Sequence, residues 1–244
     1  MRRKGQNFLV DSKVLQRIAD YAILCPADCV LEIGSGTGNL TEILSRRAGR
    51  VYAVEVDKSL ARSLKGRFDN VEVIEGDALK VELPPYNKIV SNLPYQISSK
   101  ITYRLLQKPF DLAVLMYQRE FAKRMIAPVG SKDYGRLSMM VGYYARPEIL
   151  ETVPRMAFRP VPQVGSAIVR LHPRPEKQPV DFDDFMRLVT GLFSHRRKKL
   201  GSALESIGVS KDSLAGIDKS LQDRRPGEIG PDEAARLAEE IKFL

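Results

Sequence analysis

The segment that says most about the chemistry of this protein is Asn92-Leu93-Pro94-Tyr95, because of its residue types and their order. The exocyclic amine of a nucleic-acid base is a poor nucleophile, because its lone pair is delocalised into the ring. The amide oxygen of Asn92 and the carbonyl of Leu93 could hold both amine hydrogens, while Tyr95 stacks on the base. Pro94 fixes its own φ and helps to aim the carbonyls. Asn-x-Pro is also a common turn, but this combination favours methyl transfer to an amine, which needs no strong general base.

A glycine-rich segment, EIGSGTG, predicts a ligand site of a second kind. Gly34, Gly36 and Gly38 lie between an apolar run and a helical pattern, where glycine permits positive φ and close approach to a ligand. About 20 residues later Glu55 ends the next apolar run, where a carboxylate can accept both ribose hydroxyls. A structural turn would also explain the glycines. However, Asn39 stands where a dinucleotide fingerprint has its last glycine, so a nucleoside without a pyrophosphate fits better.

The elements that would position these residues alternate between strands and helices. Asp77 follows a third apolar run. Its carboxylate could reach an adenine amine, but it could also be only a turn cap. Strands are predicted at residues 30–34, 51–57, 71–77, 88–92 and 111–117, and helices at residues 39–48, 58–68, 98–107, 118–127 and 134–145. The alternation indicates a parallel sheet covered by helices, with ligands at the carboxyl ends of its strands. Residues 148–153 and 166–172 are expected to form an antiparallel hairpin at the sheet edge.

The end of the chain has a different pattern. Residues 173–179 contain three prolines and no apolar run, which predicts a linker. Only helical patterns follow. We therefore expect a catalytic domain over residues 1–174 and a small all-helical domain over residues 180–244.

Composition limits the class of protein. The chain has 244 residues, 43% of them hydrophobic, and a net charge of +9, which is an ordinary globular balance with a weak preference for polyanionic partners. No apolar run approaches the roughly 20 residues of a membrane span, and the N-terminus lacks the apolar core of a signal peptide. Cys25 and Cys29 have no nearby histidine and make a poor metal site. We expect a cytoplasmic protein, without a membrane or a metal.

Taken in order, these motifs resemble those of the S-adenosylmethionine-dependent methyltransferases of class I, and among them the ribosomal RNA adenine dimethylases of the small-subunit type. The resemblance runs from about residue 5 to residue 205. It is carried by GQNFLVD (5–11), EIGSGTGNLT (32–41), VEVD (54–57), GDAL (76–79), NLPYQIS (92–98), YQREFAKRM (117–125), YGRLS (134–138), FRPVPQVGSAIVRL (158–171) and LFSHRRKKLGSAL (192–204).

The resemblance implies a fold, a reaction and a set of functional residues. The fold is a Rossmann-like, doubly wound, mostly parallel seven-stranded sheet with a small helical C-terminal domain. The reaction is dimethylation at N6 of two adjacent adenosines near the 3′ end of small-subunit rRNA, with S-adenosylmethionine as methyl donor. The catalytic residues are Asn92, Leu93, Pro94, Tyr95 and Phe158, the last as a second aromatic clamp on the base. The cofactor-binding residues are Gln6, Asn7, Leu9, Gly34, Gly36, Glu55, Val56, Asp77, Ala78 and Asn92.

A basic cluster, Arg196, Arg197, Lys198 and Lys199, predicts contact with rRNA, because four consecutive cations are costly to place together without a polyanion. Residues 181–244 nevertheless have 11 Lys+Arg against 12 Asp+Glu, so most of the positive charge lies in the first 180 residues. We expect rRNA to lie mainly across the catalytic domain, with the helical domain assisting through the basic cluster. The expected partner is small-subunit rRNA in an assembling subunit, and the expected state is a monomer.

Two other functions remain open from the sequence. A large-subunit rRNA adenine methylase would share the fold and the Asn-Leu-Pro-Tyr chemistry. A ribosome-assembly factor could keep the fold and act by RNA binding alone. The glycine loop, Glu55, Asp77 and the Asn-Leu-Pro-Tyr segment favour retained catalysis.

Overall fold

In the computed structural model, which describes residues 7–174 and 180–241, strands and helices alternate over the first half of the chain. The strands are β1 (Phe8–Leu9), β2 (Cys29–Ile33), β3 (Arg50–Glu55), β4 (Val71–Glu75), β5 (Lys88–Asn92), β6 (Leu112–Gln118), β7 (Ala145–Val153), β8 (Phe158–Arg159) and β9 (Ser166–Pro173). The helices are α1 (Ser12–Tyr21), α2 (Asn39–Ser45), α3 (Lys58–Leu64), α4 (Ser98–Leu106), α5 (Arg119–Met125), α6 (Arg136–Tyr144), α7 (Phe182–Ser194), α8 (Leu200–Ser206), α9 (Lys211–Gly216), α10 (Lys219–Asp223) and α11 (Pro231–Glu240).

Seven of these strands form one sheet in the order β4-β3-β2-β5-β6-β9-β7. The neighbours from β4 to β6 pair in parallel, and β9 pairs antiparallel to β6. This confirms the predicted mostly parallel α/β sheet. The chain adds β3 and β4 on one side of β2 and then returns to add β5 on the other side. Such a reversal opens a crevice at the carboxyl ends of β2 and β5, which is where open α/β sheets bind ligands.

Apolar side chains from the middle strands fix the sheet against its helices. Val30, Val90 and Val114, on β2, β5 and β6, are fully buried and share a core with Ile18 of α1. Helix α1 begins after Asp11, whose carboxylate accepts hydrogen bonds from the N–H groups of residues 13 and 14. Because that side chain caps the helix, the sequence just before α1 has a fixed direction as it enters the core.

A short second sheet, which the sequence patterns did not predict, holds the segment before α1 in place. β1 pairs antiparallel with β8, with Phe8 opposite Arg159 and Leu9 opposite Phe158. The N–H of Val10 also donates to the carbonyl of Ala157 over 2.9 Å. Two strands of two residues each give no periodic signal, so only the tertiary structure reveals this pairing.

The chain divides into two compact units, one of residues 1–122 and 147–173, and one of residues 123–146 and 174–244. The second, helical unit is larger than the expected 180–244 because it includes α6. Helix α6 packs against α7 and α11, and its Met139, Met140 and Tyr143 are fully buried. The hydroxyl of Tyr134 also donates to the carbonyl of Ile229 over 3.0 Å within this unit. The helical pattern of residues 134–145 was predictable, whereas the unit that would bury it was not.

This division changes where the charge lies. The helical unit has 18 Lys+Arg against 14 Asp+Glu, and the sheet unit has 21 against 16. Both units are therefore basic, whereas residues 181–244 alone are not. None of the helices in the described part of the chain has the length and apolar character needed to cross a membrane.

Candidate active site

A cavity of about 380 Å³ lies at the carboxyl edge of the sheet, within the sheet unit. Its walls come from β1 and from the segments that follow β2, β3, β4 and β5. Most residues that the sequence assigned to catalysis or cofactor binding line this one cavity: Asn7, Leu9, Gly34, Gly36, Glu55, Val56, Asp77, Ala78, Asn92, Leu93, Pro94 and Tyr95. Gln6 lies outside the described residues.

The glycine loop after β2 is shaped by contacts that no larger residue would permit. Gly34, Gly36 and Gly38 have φ values of 75°, 57° and 84°. A Cβ atom on Gly34 would lie 2.9 Å from Cγ of Pro94, and one on Gly36 would lie 3.0 Å from Cδ1 of Phe8. The loop therefore touches both the Asn-Leu-Pro-Tyr segment and β1, and it leaves a cradle of bare backbone facing the cavity.

Glu55 connects the end of β3 to this loop. Its side chain is 4% exposed, yet it lines the cavity. Its Oε2 accepts a hydrogen bond from the N–H of Gly36, and its Oε1 accepts one from the N–H of Asp57, both over 2.8 Å. Each carboxylate oxygen has a second lone pair, so both oxygens can still accept from the vicinal hydroxyls of a ribose.

Asp77 occupies the corresponding position after β4. One oxygen, Oδ1, accepts from the N–H of Leu79 over 2.9 Å, so the residue does cap its own turn. It also lines the cavity, together with Ala78 and with Val56 from the neighbouring strand end. The second carboxylate oxygen of Asp77 remains an acceptor for an adenine amine. The cap at Asp77 therefore leaves one oxygen of its carboxylate available to a ligand.

Glu32 is a cavity residue to which sequence reasoning gave no role. It is the first residue of the glycine-loop motif, near the end of β2, is 2% exposed, and has no hydrogen-bond partner for Oε2 among the described residues. Burial, reinforced by the negative charge of Glu55, raises its pKa to about 8. The Thr41 hydroxyl nearby opposes this shift without meeting hydrogen-bond geometry. An acid in an otherwise apolar strand was the signal that could have identified it.

Asn39 and Phe8 are two further residues whose roles the sequence did not reveal. The Asn39 side chain donates to the carbonyl of Leu9 over 2.9 Å and so fastens β1 to the start of α2. The ring of Phe8 covers Gly36. At position 39 the sequence has asparagine where a dinucleotide fingerprint has its last glycine. In the structure the same residue has a positive role, because it holds one wall of the cavity.

The Asn-Leu-Pro-Tyr segment begins at the last residue of β5 and lines the cavity. Leu93 is buried and anchors it, and Pro94 has a φ of −61°. Within the described residues, no hydrogen bond uses the Asn92 side-chain amide or the Leu93 carbonyl. These are the two acceptors that the sequence assigned to the hydrogens of a target amine. An acceptor pair that the fold leaves available at a cavity wall is suited to bind a ligand's donors.

Tyr95 begins a short 3-10 turn after this segment and is half-buried. Its hydroxyl lies 2.5 Å from Oγ of Ser166, the first residue of β9. Burial raises the pKa of Tyr95, while the Ser166 hydrogen bond opposes the shift. The raised pKa keeps the phenol neutral well above physiological pH.

Phe158 departs from the expectation. Its side chain is fully buried in the hydrophobic core and is absent from the cavity walls. The cause is the pairing of β8 with β1, which places Phe158 opposite Leu9 and directs it into the core. In this structure Phe158 is a core residue before a proline, and of the two residues predicted to clamp the base only Tyr95 lines the cavity.

The basic cluster at residues 196–199 belongs to the helical unit and does not line the cavity. Lys199 forms an ion pair with Asp223 over 2.8 Å, and Lys198 donates to Ser206 over 2.8 Å. Arg196 donates to the carbonyl of Ser131 over 3.0 Å. All four side chains are exposed. No group of histidine, cysteine or acidic side chains suited to a metal ion occurs in the described part of the chain.

The cavity fits S-adenosylmethionine on its own geometry. The bare loop backbone at Gly34 and Gly36 suits the amino-acid portion, Glu55 suits the ribose, and Asp77 suits the adenine amine. Glu32 also borders this cavity, and an ionised carboxylate there would favour a cationic ligand. Asn92 lines the same cavity.

Comparison with known proteins agrees with this geometry. The sequence model of the family described as ribosomal RNA adenine dimethylase matches residues 1–242. A Methanosarcina mazei protein named probable ribosomal RNA small subunit methyltransferase A is 47% identical over 246 residues, covering 97% of this chain and 91% of the relative. Among solved structures, a dimethyladenosine transferase from Plasmodium falciparum has a TM-score of 0.85 at 29% identity and covers 97% of this chain and 100% of that one. The 23S rRNA methyltransferase ErmE has a TM-score of 0.69 at 32% identity, covering 96% and 99%.

Proposed function

Because this chain belongs to the ribosomal RNA adenine dimethylase family, we propose that it dimethylates N6 of two adjacent adenosines near the 3′ end of small-subunit rRNA. The single observation that carries this proposal is the cavity, where the acceptors of Asn92 and Leu93 face the same space as Glu55 and Asp77. The proposed methyl donor is S-adenosylmethionine, and no metal takes part.

Asn92 and Leu93 prepare the target nitrogen. The amide oxygen of Asn92 and the carbonyl of Leu93 accept the two amine hydrogens, which localises the nitrogen lone pair away from the ring. S-adenosylmethionine, when bound, supplies a methyl group activated by its sulfonium. In each transfer one nitrogen–carbon bond forms as the methyl–sulfur bond breaks, and the extra amine proton then leaves to water. No side chain needs to act as a strong base.

Tyr95 stacks on the base and keeps its plane in position during each transfer. Its ring stands at the cavity wall beside Pro94, whose rigid φ fixes the direction of the segment. Because Phe158 is buried, stacking on the second face of the base is not assigned to it. A crystal structure with a bound RNA oligonucleotide would show which side chain covers that face.

We also propose that the protein acts as a cytoplasmic monomer on an assembling subunit, with both units contacting rRNA. The positive charge of both units supports this, since phosphate neutralisation by Lys and Arg supplies most of the non-specific affinity for RNA.

The test is to incubate the protein with unmethylated small subunits and labelled S-adenosylmethionine and to map the label on the rRNA. We expect two adjacent dimethyladenosines near the 3′ end. Label on large-subunit rRNA instead would support the large-subunit alternative. Tight binding to small subunits without any label would support an assembly factor that acts by binding alone.

A further inference from the structure

Two hydroxyl groups that are 71 positions apart in the sequence form a hydrogen bond at the far end of the proposed base-stacking ring. The Tyr95 hydroxyl and Oγ of Ser166 are 2.5 Å apart. Ser166 is fully buried, and its backbone pairs with Gln118 in the β6–β9 ladder. One partner therefore belongs to the rigid sheet, and the other lies in the loop that follows β5.

We propose that Ser166 is a positioning residue that holds the Tyr95 ring in place and that this restraint is needed most for the second of the two methyl transfers. The inference rests on the proposed function. It assigns a role to Ser166, which does not line the cavity and has no direct contact with the reacting groups.

The fold supports a restraint rather than an incidental contact. Tyr95 is half-buried and lies in a three-residue 3-10 turn, so its backbone alone gives little rigidity. Its hydroxyl is the only group at the far end of the ring that can be fastened by a hydrogen bond. Ser166 supplies the partner from a strand whose position is set by its ladder with β6. Fixing both ends of the ring fixes its long axis and so limits where the plane on which a base stacks can lie.

The second transfer depends on this plane more than the first. An unmethylated amine offers two hydrogens, one for the Asn92 amide and one for the Leu93 carbonyl. After the first transfer only one hydrogen remains, so one of the two positioning hydrogen bonds is lost. Stacking on Tyr95 then carries a larger share of the alignment of the nitrogen. A looser ring should therefore slow the second transfer more than the first.

The experiment compares Ser166→Ala and Tyr95→Phe with the wild-type protein on unmethylated small subunits. Single-turnover time courses, with nucleosides quantified by mass spectrometry, give separate rate constants for monomethyladenosine and dimethyladenosine formation. We expect each variant to lower the ratio of the second rate constant to the first by about fivefold, the effect of one lost hydrogen bond. Monomethyladenosine should accumulate. The double variant should match the single variants, because both remove the same bond.

Tyr117→Phe is the matched control. The Tyr117 hydroxyl pairs with the Thr102 hydroxyl over 2.8 Å in a second tyrosine–hydroxyl pair, which is fully buried, and neither residue lines the cavity. This variant should lose stability without changing the ratio of the two rate constants. If Ser166→Ala fails to fold, Tyr95→Phe still tests the proposal, because it removes the same hydrogen bond at the half-buried partner.

The outcomes separate the two proposals. If the wild-type protein makes no methylated adenosine on small subunits, the proposed function is wrong. If the wild-type protein dimethylates and both variants slow the two transfers equally, or slow neither, the positioning role of Ser166 is wrong. A double variant whose effect is the product of the single effects would also overturn it, because the two hydroxyls would then act independently.

Discussion

The backbone N–H of Gly36 donates a 2.8 Å hydrogen bond to Oε2 of Glu55, so the glycine loop after β2 is fastened to the end of the neighbouring strand β3. A single buried carboxylate therefore shapes the loop and also presents its remaining lone pairs to the cavity. The two roles are coupled, because any ligand that hydrogen-bonds to Glu55 meets an acceptor whose position is already fixed by two backbone donors.

Replacing Glu55 by Gln should weaken S-adenosylmethionine binding by about 10- to 100-fold, the effect of losing hydrogen bonds to a charged acceptor. The Gln amide would also place a donor against the N–H of Gly36 or of Asp57, which should cost about 1–3 kcal/mol of stability. Calorimetric titration and thermal melting measure the two effects. Glu75→Gln is the matched control, since Glu75 lies opposite Glu55 in the β3–β4 register but does not line the cavity. Equal losses in both variants would contradict the assignment.

Replacing Asn92 by Ala should abolish methyl transfer while cofactor affinity stays within a few fold. The Asn92 amide makes no hydrogen bond within the described residues, so its removal leaves no partner unsatisfied and the loop keeps its Leu93 anchor. Calorimetry with S-adenosylmethionine and a labelled-methyl assay report the two quantities on the same preparation. Loss of binding together with activity would show that Asn92 holds the cofactor or the loop instead of the amine.

Glu32→Gln should change how stability depends on pH in the ligand-free protein. The pKa of Glu32 in the folded protein, about 8, is raised above its ordinary value of 4.5. Between about pH 4.5 and pH 8 the folded state therefore keeps a proton that the unfolded state has lost. Wild-type stability should therefore fall relative to the variant as pH rises from about 4.5 to about 8, and the difference should be constant above that. A full shift corresponds to a loss on the order of 5 kcal/mol.

Melting temperatures of both proteins across pH 5 to 9 test this, because other titrating groups cancel in the difference. A difference that does not change with pH would mean that Glu32 is ionised in the folded protein throughout the range.

Gly34→Ala should impair transfer as well as stability. Its φ of 75° is strained for alanine, and the new Cβ would lie 2.9 Å from Cγ of Pro94, which must then move. Since a displacement near 1 Å can cost about 100-fold in rate, we expect a loss of that order. Gly66→Ala is the control, since Gly66 has a φ of 72° but open space around its Cβ position. That variant should lose about 1 kcal/mol and keep its activity. Similar activity in both variants would show that the contact with Pro94 is unimportant.

The sequence predicted the strand ends of the site well, because Gly34, Glu55, Asp77 and Asn92 lie at or just after the ends of apolar runs. Asp77 and Glu55 needed only the order of those strands to reach one cavity. Contacts distant in sequence were not predictable. The pair Tyr95–Ser166 depends on β9 lying beside β6, and the burial of Phe158 depends on the two-residue strand β1. For Phe158 the motif suggested exposure, whereas the pairing of backbone groups places the ring in the core.

The basic cluster allows a prediction about salt. Replacing Arg196, Arg197, Lys198 and Lys199 by Gln should reduce the slope of log K against log[salt] for rRNA binding. Four free cations would account for a decrease of up to about 3.6, at roughly 0.9 per duplex phosphate. Because Lys199 is already paired with Asp223 and Lys198 with Ser206, we expect a decrease of about 2 to 3.

Filter binding to small-subunit rRNA between 50 and 200 mM salt (about a fourfold range) measures the slope. The control is Lys211→Gln with Lys219→Gln, two exposed cations of the same helical unit outside the cluster, which should leave the slope nearly unchanged. An unchanged slope in the fourfold variant would exclude the cluster from the rRNA interface and leave the remaining basic residues to carry the binding.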